Sequence, residues 1–264
     1  MNKHLVFEEL YDFWDFAFKE SDARRKASRE LKSDWNGDVS WNKTKRLAFN
    51  GWNDGLKEIE KYQASLNELT TSKIVRHLPV YAVAGSSVSV GNYLSNDPEC
   101  FVFREYGEIR QEGKIVKLVC SVSFSSSISA ATIMQRGAMI CALVDAIEYA
   151  GYRAEVICNF SARFKKGSFE VDVTIKKANQ PLNRIELAFC LAHPAMLRRV
   201  LFSVAEIEGW SDFAFAYGCP SKASNPGDFY IDEIFSDVVS NHKAIEWLLS
   251  NLAKLSISID KSNS

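Results

Sequence analysis

The spacing of apolar residues changes twice between Ile115 and Phe160. An apolar run at 115–121 leads into a serine-rich stretch, and apolar residues then recur at helical spacing from Met134 to Ala150 before a second apolar run begins. This order predicts a strand, a serine-rich turn, a long helix and a second strand. Such a βαβ unit requires a parallel pair of strands in a sheet that is buried on both faces.

Two helical patterns precede that unit. Aromatic and apolar residues between Phe7 and Lys32 recur three and four positions apart, which predicts a helix whose aromatic side packs on the core. A second helical pattern runs from Ser40 to about Leu69, and Gly51 within it predicts a bend. We therefore expect an N-terminal helical region at 1–75 and an α/β domain at 76–264.

The segments on either side of the unit predict further strands. The run at 100–105 is followed by a turn at 111–114, which suggests an antiparallel hairpin with the central strand. Apolar and polar residues alternate at 169–176, so we expect a strand near the sheet edge with one face in water. Strands that alternate with helices in this way predict an α/β fold with a mixed sheet flanked by helices.

Composition limits the functional classes. The chain has 264 residues, 47% of them hydrophobic, and a net charge of −1, so it can bury a large core and has no overall field that attracts nucleic acid or membrane. The six cysteines are far apart and form no CxxC pair, which favours reduced, buried thiols. We see no leader sequence and no window long enough to cross a bilayer, so we expect a cytoplasmic protein.

Catalytic motifs are missing from the sequence. None of its serines lies in a GxSxG elbow, and no HExxH, PCxxC or EF-hand pattern occurs. The four histidines lie outside any such pattern. We therefore predict a non-enzyme, with no catalytic residues, no metal and no cofactor.

Basic and aromatic residues are interleaved between residues 24 and 52. Cations beside flat rings are what a single-stranded nucleic acid site needs, because the cations neutralise phosphates and the rings stack on bases. The alternative is a solvated helix face whose tryptophans anchor it to the core. The residues of this candidate patch are Arg24, Arg25, Lys26, Arg29, Trp35, Trp41, Lys43, Lys45, Arg46 and Trp52.

The βαβ unit resembles the opening of a von Willebrand factor A domain, particularly the type found with MoxR-like ATPases. That family ends its first strand in Asp-x-Ser-x-Ser, whose oxygens hold a divalent cation. Here the corresponding positions are Ser121, Ser123 and Ser125, so a serine stands where the aspartate belongs. The resemblance implies a Rossmann-like, von Willebrand A-like core, and the lost carboxylate implies a degenerate loop without metal.

Scattered phrases along the chain, such as those at 47–55 and 191–199, are similar to an uncharacterised family of tailed-bacteriophage proteins. This resemblance implies a phage origin and action in the cytoplasm of the host cell, and it supplies no activity. It singles out His193, Arg198 and Arg199.

Three functional hypotheses follow. The first is a phage-encoded adaptor that binds a phage or host protein, such as an ATPase or a polymerase, through a metal-less core. The second is an accessory factor that binds single-stranded DNA or RNA during phage replication or transcription. The third is an enzyme with an unrecognised site, using His193. None of the three requires a membrane.

Overall fold

The computed structural model describes residues 2–23, 32–70, 75–83, 87–95, 97–108, 114–211, 217–232 and 235–255. Within them the strands are β1 (Asn2–Phe7), β2 (Val75–Ala82), β3 (Ser87–Val88), β4 (Phe101–Glu108), β5 (Ile115–Ser121), β6 (Arg153–Phe164), β7 (Gly167–Lys176), β8 (Cys219–Pro220) and β9 (Phe229–Ile231). The helices are α1 (Leu10–Phe18), α2 (Trp41–Asn50), α3 (Asp54–Thr70), α4 (Val90–Leu94), α5 (Ala130–Tyr149), α6 (Arg184–Ala192), α7 (Phe202–Ile207) and α8 (Asn241–Lys254). A 3-10 turn occupies Asp34–Asn36, and a π-helix at Met196–Leu201 continues into α7.

The predicted βαβ unit is confirmed. Strands β5 and β6 are parallel, with Ile115 opposite Arg153 and Ser121 opposite Asn159, and α5 connects them. The Ser129 side chain caps the first turn of α5 by accepting a hydrogen bond from the Thr132 amide at 3.1 Å. The apolar run before the serines and the apolar helix after them thus form the centre of the molecule.

The main sheet among the described residues has the order β1-β7-β6-β5-β9, and β8 pairs with the far end of β6. Strands β6 and β9 flank β5 in parallel, β1 runs parallel to β7, and β6 pairs antiparallel with β7. The sheet is therefore mixed and flanked by helices, which confirms the α/β prediction at that level.

The core lies between this sheet and the central helix. Most of α5 is buried, and α3, α6 and α8 contact it. Helix α1 adds an aromatic layer, in which Trp14 lies 5.9 Å from Phe189 of α6 between ring centroids. At the crossing of α5 and α6 there is room only for glycine, because a Cβ on Gly137 would lie 2.2 Å from the Cα of Ala192.

The N-terminus departs from the sequence prediction. Residues 2–7 form strand β1 of the main sheet, and the helix that was expected from Phe7 to Lys32 begins at Leu10 and ends at Phe18. Alternation over only six residues is a weak sequence signal for a strand. Residues 2–7 form a strand because they pair with β7, and this contact cannot be read from the local pattern. The division of the chain near residue 75 stays a prediction.

The bend predicted near Gly51 is confirmed. Helix α2 ends at Asn50 and α3 begins at Asp54. Gly51 has a φ of 76°, a conformation that favours glycine. The amide of Trp52 donates a hydrogen bond to the Ile185 carbonyl at 3.0 Å, which joins the bend to α6.

Strand β4 does not form a hairpin with the central strand. It pairs antiparallel with β2 and with β3 in a separate three-stranded sheet. The reason is that β5 has β6 on one side and β9 on the other, which leaves no edge of β5 open for a hairpin partner.

Strand β7 also differs from the prediction of one wet face. It forms the expected hairpin with β6, but its polar side chains Glu170 and Asp172 are only 7% and 8% exposed. Strands β1 and β6 flank β7, and the backbone of Ser224 reaches over it to donate to Glu170 Oε1 at 2.8 Å. The alternation was identified correctly, but the assignment of its polar side to water was wrong.

Helix α5 is long and apolar enough to cross a membrane by length and composition, contrary to the expectation that no such window exists. In this structure 78% of its most apolar window is buried inside the protein, as in the central helix of a folded domain.

The crossing of α5 and α6 gives a stability prediction. Replacing Gly137 by Ala should lower the free energy of unfolding by about 1–3 kcal/mol, because the added methyl group must push the α6 backbone away. Ala has the better intrinsic helix propensity, so packing alone would cause the loss. Urea unfolding monitored by circular dichroism measures the change.

The matched control is Ala131→Ser, on the exposed side of the same helix, which should shift stability by less than about 0.5 kcal/mol. A Gly137→Ala protein as stable as the parent would show that the two helices do not approach this closely.

Candidate functional site

A cleft of about 280 Å³ opens at the carboxyl end of β5, where the chain leaves the sheet through its serine-rich turn. In open α/β sheets this end of the strands is where ligands bind. The cleft is lined by Trp35, Ser123, Phe124, Ser125, Ser126, Phe160, Ala162, Arg198, Phe202, Tyr217, Gly218, Cys219 and Pro220. Four residues singled out from three separate stretches of sequence thus meet in one place, namely Trp35, Ser123, Ser125 and Arg198.

The three serines of the degenerate loop have different surroundings. Ser121 and Ser123 are buried: Ser121 Oγ accepts from the Ser123 amide at 3.3 Å, and Ser123 Oγ accepts from the Ser161 amide of β6 at 2.8 Å. Ser125 is exposed, with its Oγ 3.1 Å from Ser127 Oγ. The two buried hydroxyls therefore fix the loop to the sheet, and Ser125 presents a hydroxyl group to the cleft.

Arg198 holds one wall of the cleft together. Its Nη1 donates to the Trp35 carbonyl at 2.6 Å and its Nη2 donates to the Ile128 carbonyl at 2.5 Å. The guanidinium also lies 4.6 Å from the centroid of the Trp35 ring. Burial lowers the pKa of Arg198 to about 10, so it remains charged at neutral pH. These contacts join the turn at residue 35, the loop before α5 and the π-helix.

The opposite wall is aromatic. Phe202 and Tyr217 stack with ring centroids 3.7 Å apart, and the Tyr217 hydroxyl donates to Glu206 Oε1 at 2.7 Å. Trp35 is 38% exposed and lies 6.1 Å from Phe202 between centroids. The sequence analysis missed Phe202 and Tyr217. The signal for Phe202 was its place one helical turn after Arg198, whereas Tyr217 reaches the cleft only through the fold.

The other residues of the candidate nucleic-acid patch are dispersed. Trp41 packs on Phe18, and Trp52 lies edge-on to His193, with centroid separations of 5.0 and 4.8 Å. Lys43, Lys45 and Arg46 are exposed on α2. Arg24, Arg25, Lys26 and Arg29 lie outside the described residues. Nucleic-acid binding by this segment stays a prediction, and Trp41 and Trp52 serve packing.

His193 and Arg199 are core residues. His193 Nδ1 accepts a hydrogen bond from the Ala195 amide at 3.1 Å, and a Cβ on Gly37 would lie 2.8 Å from its ring. Burial, and then the charge of Lys43, lowers the pKa of His193 to about 4. Arg199 is 2% exposed. His193 does not line the cleft at β5, so an enzyme built on this histidine gains no support from its surroundings.

Comparison with known proteins adds one result. A family model described as a domain of unknown function, DUF7192, matches residues 2–258. The chain belongs to this family. No curated protein and no solved structure matches the chain. Membership in DUF7192 thus covers both the cleft and strand β1, and confirms the expectation of an uncharacterised family.

The neutral, buried state of His193 predicts a pH dependence of stability. A histidine in the unfolded chain takes up a proton near a pKa of about 6.5, whereas the folded protein resists protonation until about pH 4. Acid therefore favours the unfolded state. The free energy of unfolding should fall between about pH 6.5 and pH 4, by up to about 1.4 kcal/mol per pH unit.

Urea unfolding of the parent and of His193→Gln at several pH values gives, for each protein, the slope of the free energy of unfolding against pH. This slope should be shallower for the variant, whatever its absolute stability. The control, His242→Gln, removes an exposed imidazole and should keep the slope of the parent. Identical slopes for all three proteins would contradict a neutral His193 in the folded state.

Proposed function

We propose that this protein is a phage-encoded adaptor without enzymatic activity, which binds a partner protein in the host cytoplasm through the cleft at the carboxyl end of β5. One observation carries the proposal: the cleft combines an aromatic wall with exposed hydroxyl groups, and among the described residues that line it there is neither a histidine nor a carboxylate. Such a lining can hold an apolar group, and it lacks the imidazole and carboxyl groups that most often act as general acid or base.

The composition of the cleft favours a protein side chain as its occupant. Its volume of about 280 Å³ leaves room for such a group. Trp, Tyr and Arg are the residue types that dominate binding energy at protein interfaces, and Trp35, Tyr217 and Arg198 meet here. The exposed residues Ser125 and Ser126 line the cleft, and their hydroxyl groups can pair with the main chain of a bound segment.

The hydrogen bonds of Arg198 give it a structural role in this cleft. Its Nη1 and Nη2 each donate to a backbone carbonyl, of Trp35 and Ile128, which holds the guanidinium beside the Trp35 ring. Arg198 thus keeps the Trp35 ring in position at the cleft.

The place of the cleft supports a Rossmann-like, von Willebrand A-like interpretation of the core. The serine loop follows the central strand, and parallel neighbours lie on both sides of that strand. A ligand-binding crevice is expected at this position in such folds. With Ser121 in place of the aspartate, the loop has lost the carboxylate that gives a hard cation its affinity, which leaves recognition of a protein as its role.

The adaptor proposal is tested by photo-crosslinking. Benzoylphenylalanine placed at Ser125, at the mouth of the cleft, should crosslink one prominent protein in infected cells. The same group at Ala64, exposed on α3, should not. Trp35→Ala in the Ser125 background should lower the yield by at least about tenfold, as expected for an interface residue that contributes about 1.4 kcal/mol or more.

Circular dichroism of Trp35→Ala must match the parent for this loss to count. Equal crosslinking from positions 125 and 64, or crosslinks from position 125 to nucleic acid instead of protein, would overturn the proposal.

A second candidate function, binding of single-stranded nucleic acid, rests on one observation: Lys43, Lys45 and Arg46 are exposed together on α2. If α2 contacts the phosphate backbone, changing all three to Gln should weaken oligonucleotide binding and reduce the slope of log affinity against log salt by about 2. Fluorescence anisotropy of a labelled oligonucleotide measures both quantities.

The control for this second candidate changes Lys57, Lys114 and Lys243, which are exposed elsewhere, to Gln. An equal loss of oligonucleotide affinity in the two triple variants would indicate a general effect of net charge and would exclude α2 as a specific site.

A further inference from the structure

A cluster of titratable side chains lies on the face of the main sheet opposite the cleft. Phe160 of β6 lines the cleft, and its neighbour Asn159 points to the other face, because successive side chains of a strand alternate. There Asn159 meets Glu170 and Asp172, which are two residues apart on β7 and so share that face. His4 joins them from β1, where it lies opposite Glu170 in the register.

The three ionisable residues are close enough to share one ion. One ligand atom from each of His4, Glu170 and Asp172 lies within 4.8 Å of the others. His4 Nε2 is 2.9 Å from Asp172 Oδ2. Ligand atoms around a first-row divalent ion lie about 3–4 Å apart, because each bond is about 2.0–2.2 Å long. Small side-chain movements would therefore complete a coordination sphere.

The two carboxylates of the cluster have no lysine or arginine partner among the described residues. Glu170 and Asp172 are 7% and 8% exposed, and within the described part of the chain no lysine or arginine nitrogen lies within 4.0 Å of either carboxylate. Of the described basic residues, His4 pairs with Asp172. Two adjacent carboxylates that are buried without a cation are costly, so either a proton or a bound cation must reduce their charge.

Asn159 provides an independent sign of a missing ligand. Its Nδ2 donates to Glu170 Oε1 at 2.9 Å and to Asp172 Oδ1 at 2.6 Å, which fixes both carboxylates. The Oδ1 on the same amide is fully buried and has no hydrogen-bond partner among the described residues. Buried amide oxygens are rarely left unsatisfied, so this oxygen leaves a position for one further donor, which a water molecule on a bound ion can fill.

We propose that this cluster binds one divalent transition-metal ion of the zinc class. His4 Nε2 and one oxygen each from Glu170 and Asp172 are the protein ligands, and the Asn159 amide together with the Ser224 amide holds the carboxylates in place. The imidazole favours zinc over magnesium and calcium, which prefer a set of oxygen ligands.

This site is separate from the serine loop, where the sequence predicted that no metal binds. A motif search could not find it, because His4 lies far from Glu170 and Asp172 along the chain. The proposal does not depend on the adaptor function, and its test requires no binding partner.

Isothermal titration of the EDTA-treated, dialysed protein with zinc chloride tests the site. The parent should bind one zinc ion per chain, confirmed by elemental analysis after gel filtration. His4→Gln and Asp172→Asn should each weaken binding by at least about 100-fold, more than the loss of an outer-shell partner costs. Binding of Co²⁺ should give a visible absorption band that both variants lack.

The matched control is His242→Gln, which removes the histidine of an exposed pair with Glu246 and should leave zinc binding unchanged. Circular dichroism of each variant establishes that it is folded. No saturable binding by the parent, or equal affinity in His4→Gln, would overturn the proposal. If Asp172→Asn makes the metal-free protein more stable while the parent binds no zinc, a shared proton balances the cluster instead.

Discussion

The structure depends on the burial of helix α5 against the strands on either side of its βαβ unit. Burial of its apolar side chains provides the main driving force for this arrangement, since removing apolar surface from water is worth about 25 cal/mol per Å². The side chains of Leu143 and Ile147 are fully buried, and Gly137 allows α6 to approach the helix backbone. Because α5 fixes the spacing between β5 and the helical layer, it also fixes the serine loop that precedes it.

The segment 217–224 connects the two candidate sites. It begins with Tyr217 in the aromatic wall of the cleft and pairs with β6, where the Ser221 amide donates to the Ser161 carbonyl at 3.0 Å. It ends with Ser224, whose amide contacts Glu170. A short strand with few ladder hydrogen bonds thus closes the cleft on one face and covers the carboxylate cluster on the other. Segment 217–224 and strand β6 therefore contact both candidate sites.

Buried polar groups fix the arrangement of distant parts of the chain. Arg198 joins the π-helix to the turn at residue 35 and to the loop before α5 by donating to backbone carbonyls, and Asn159 joins β6 to two carboxylates of β7. Each such group is costly to bury without its partners, so these contacts select one arrangement of the chain from many that would bury similar apolar area. The family match over residues 2–258 covers all of these contacts.

The sequence by itself determined the local elements: the βαβ unit, the bend at Gly51 and the alternation along β7. Helical and strand periods are local properties, so a window of a few residues carries them. Single members of the cleft could also be identified: Trp35 and Ser125 belong to local aromatic and serine patterns, and Arg198 belongs to a stretch that resembles a family of phage proteins.

Only the tertiary structure decided which strands pair and which polar faces meet water. Strand β1 joins β7 across more than 160 residues, and this pairing turns the expected wet side of β7 into a buried cluster with His4. Tyr217 likewise reaches the cleft through the pairing of β8 with β6. Such contacts join residues that are far apart in the sequence and depend on how the whole core packs. A short stretch of sequence therefore cannot predict them.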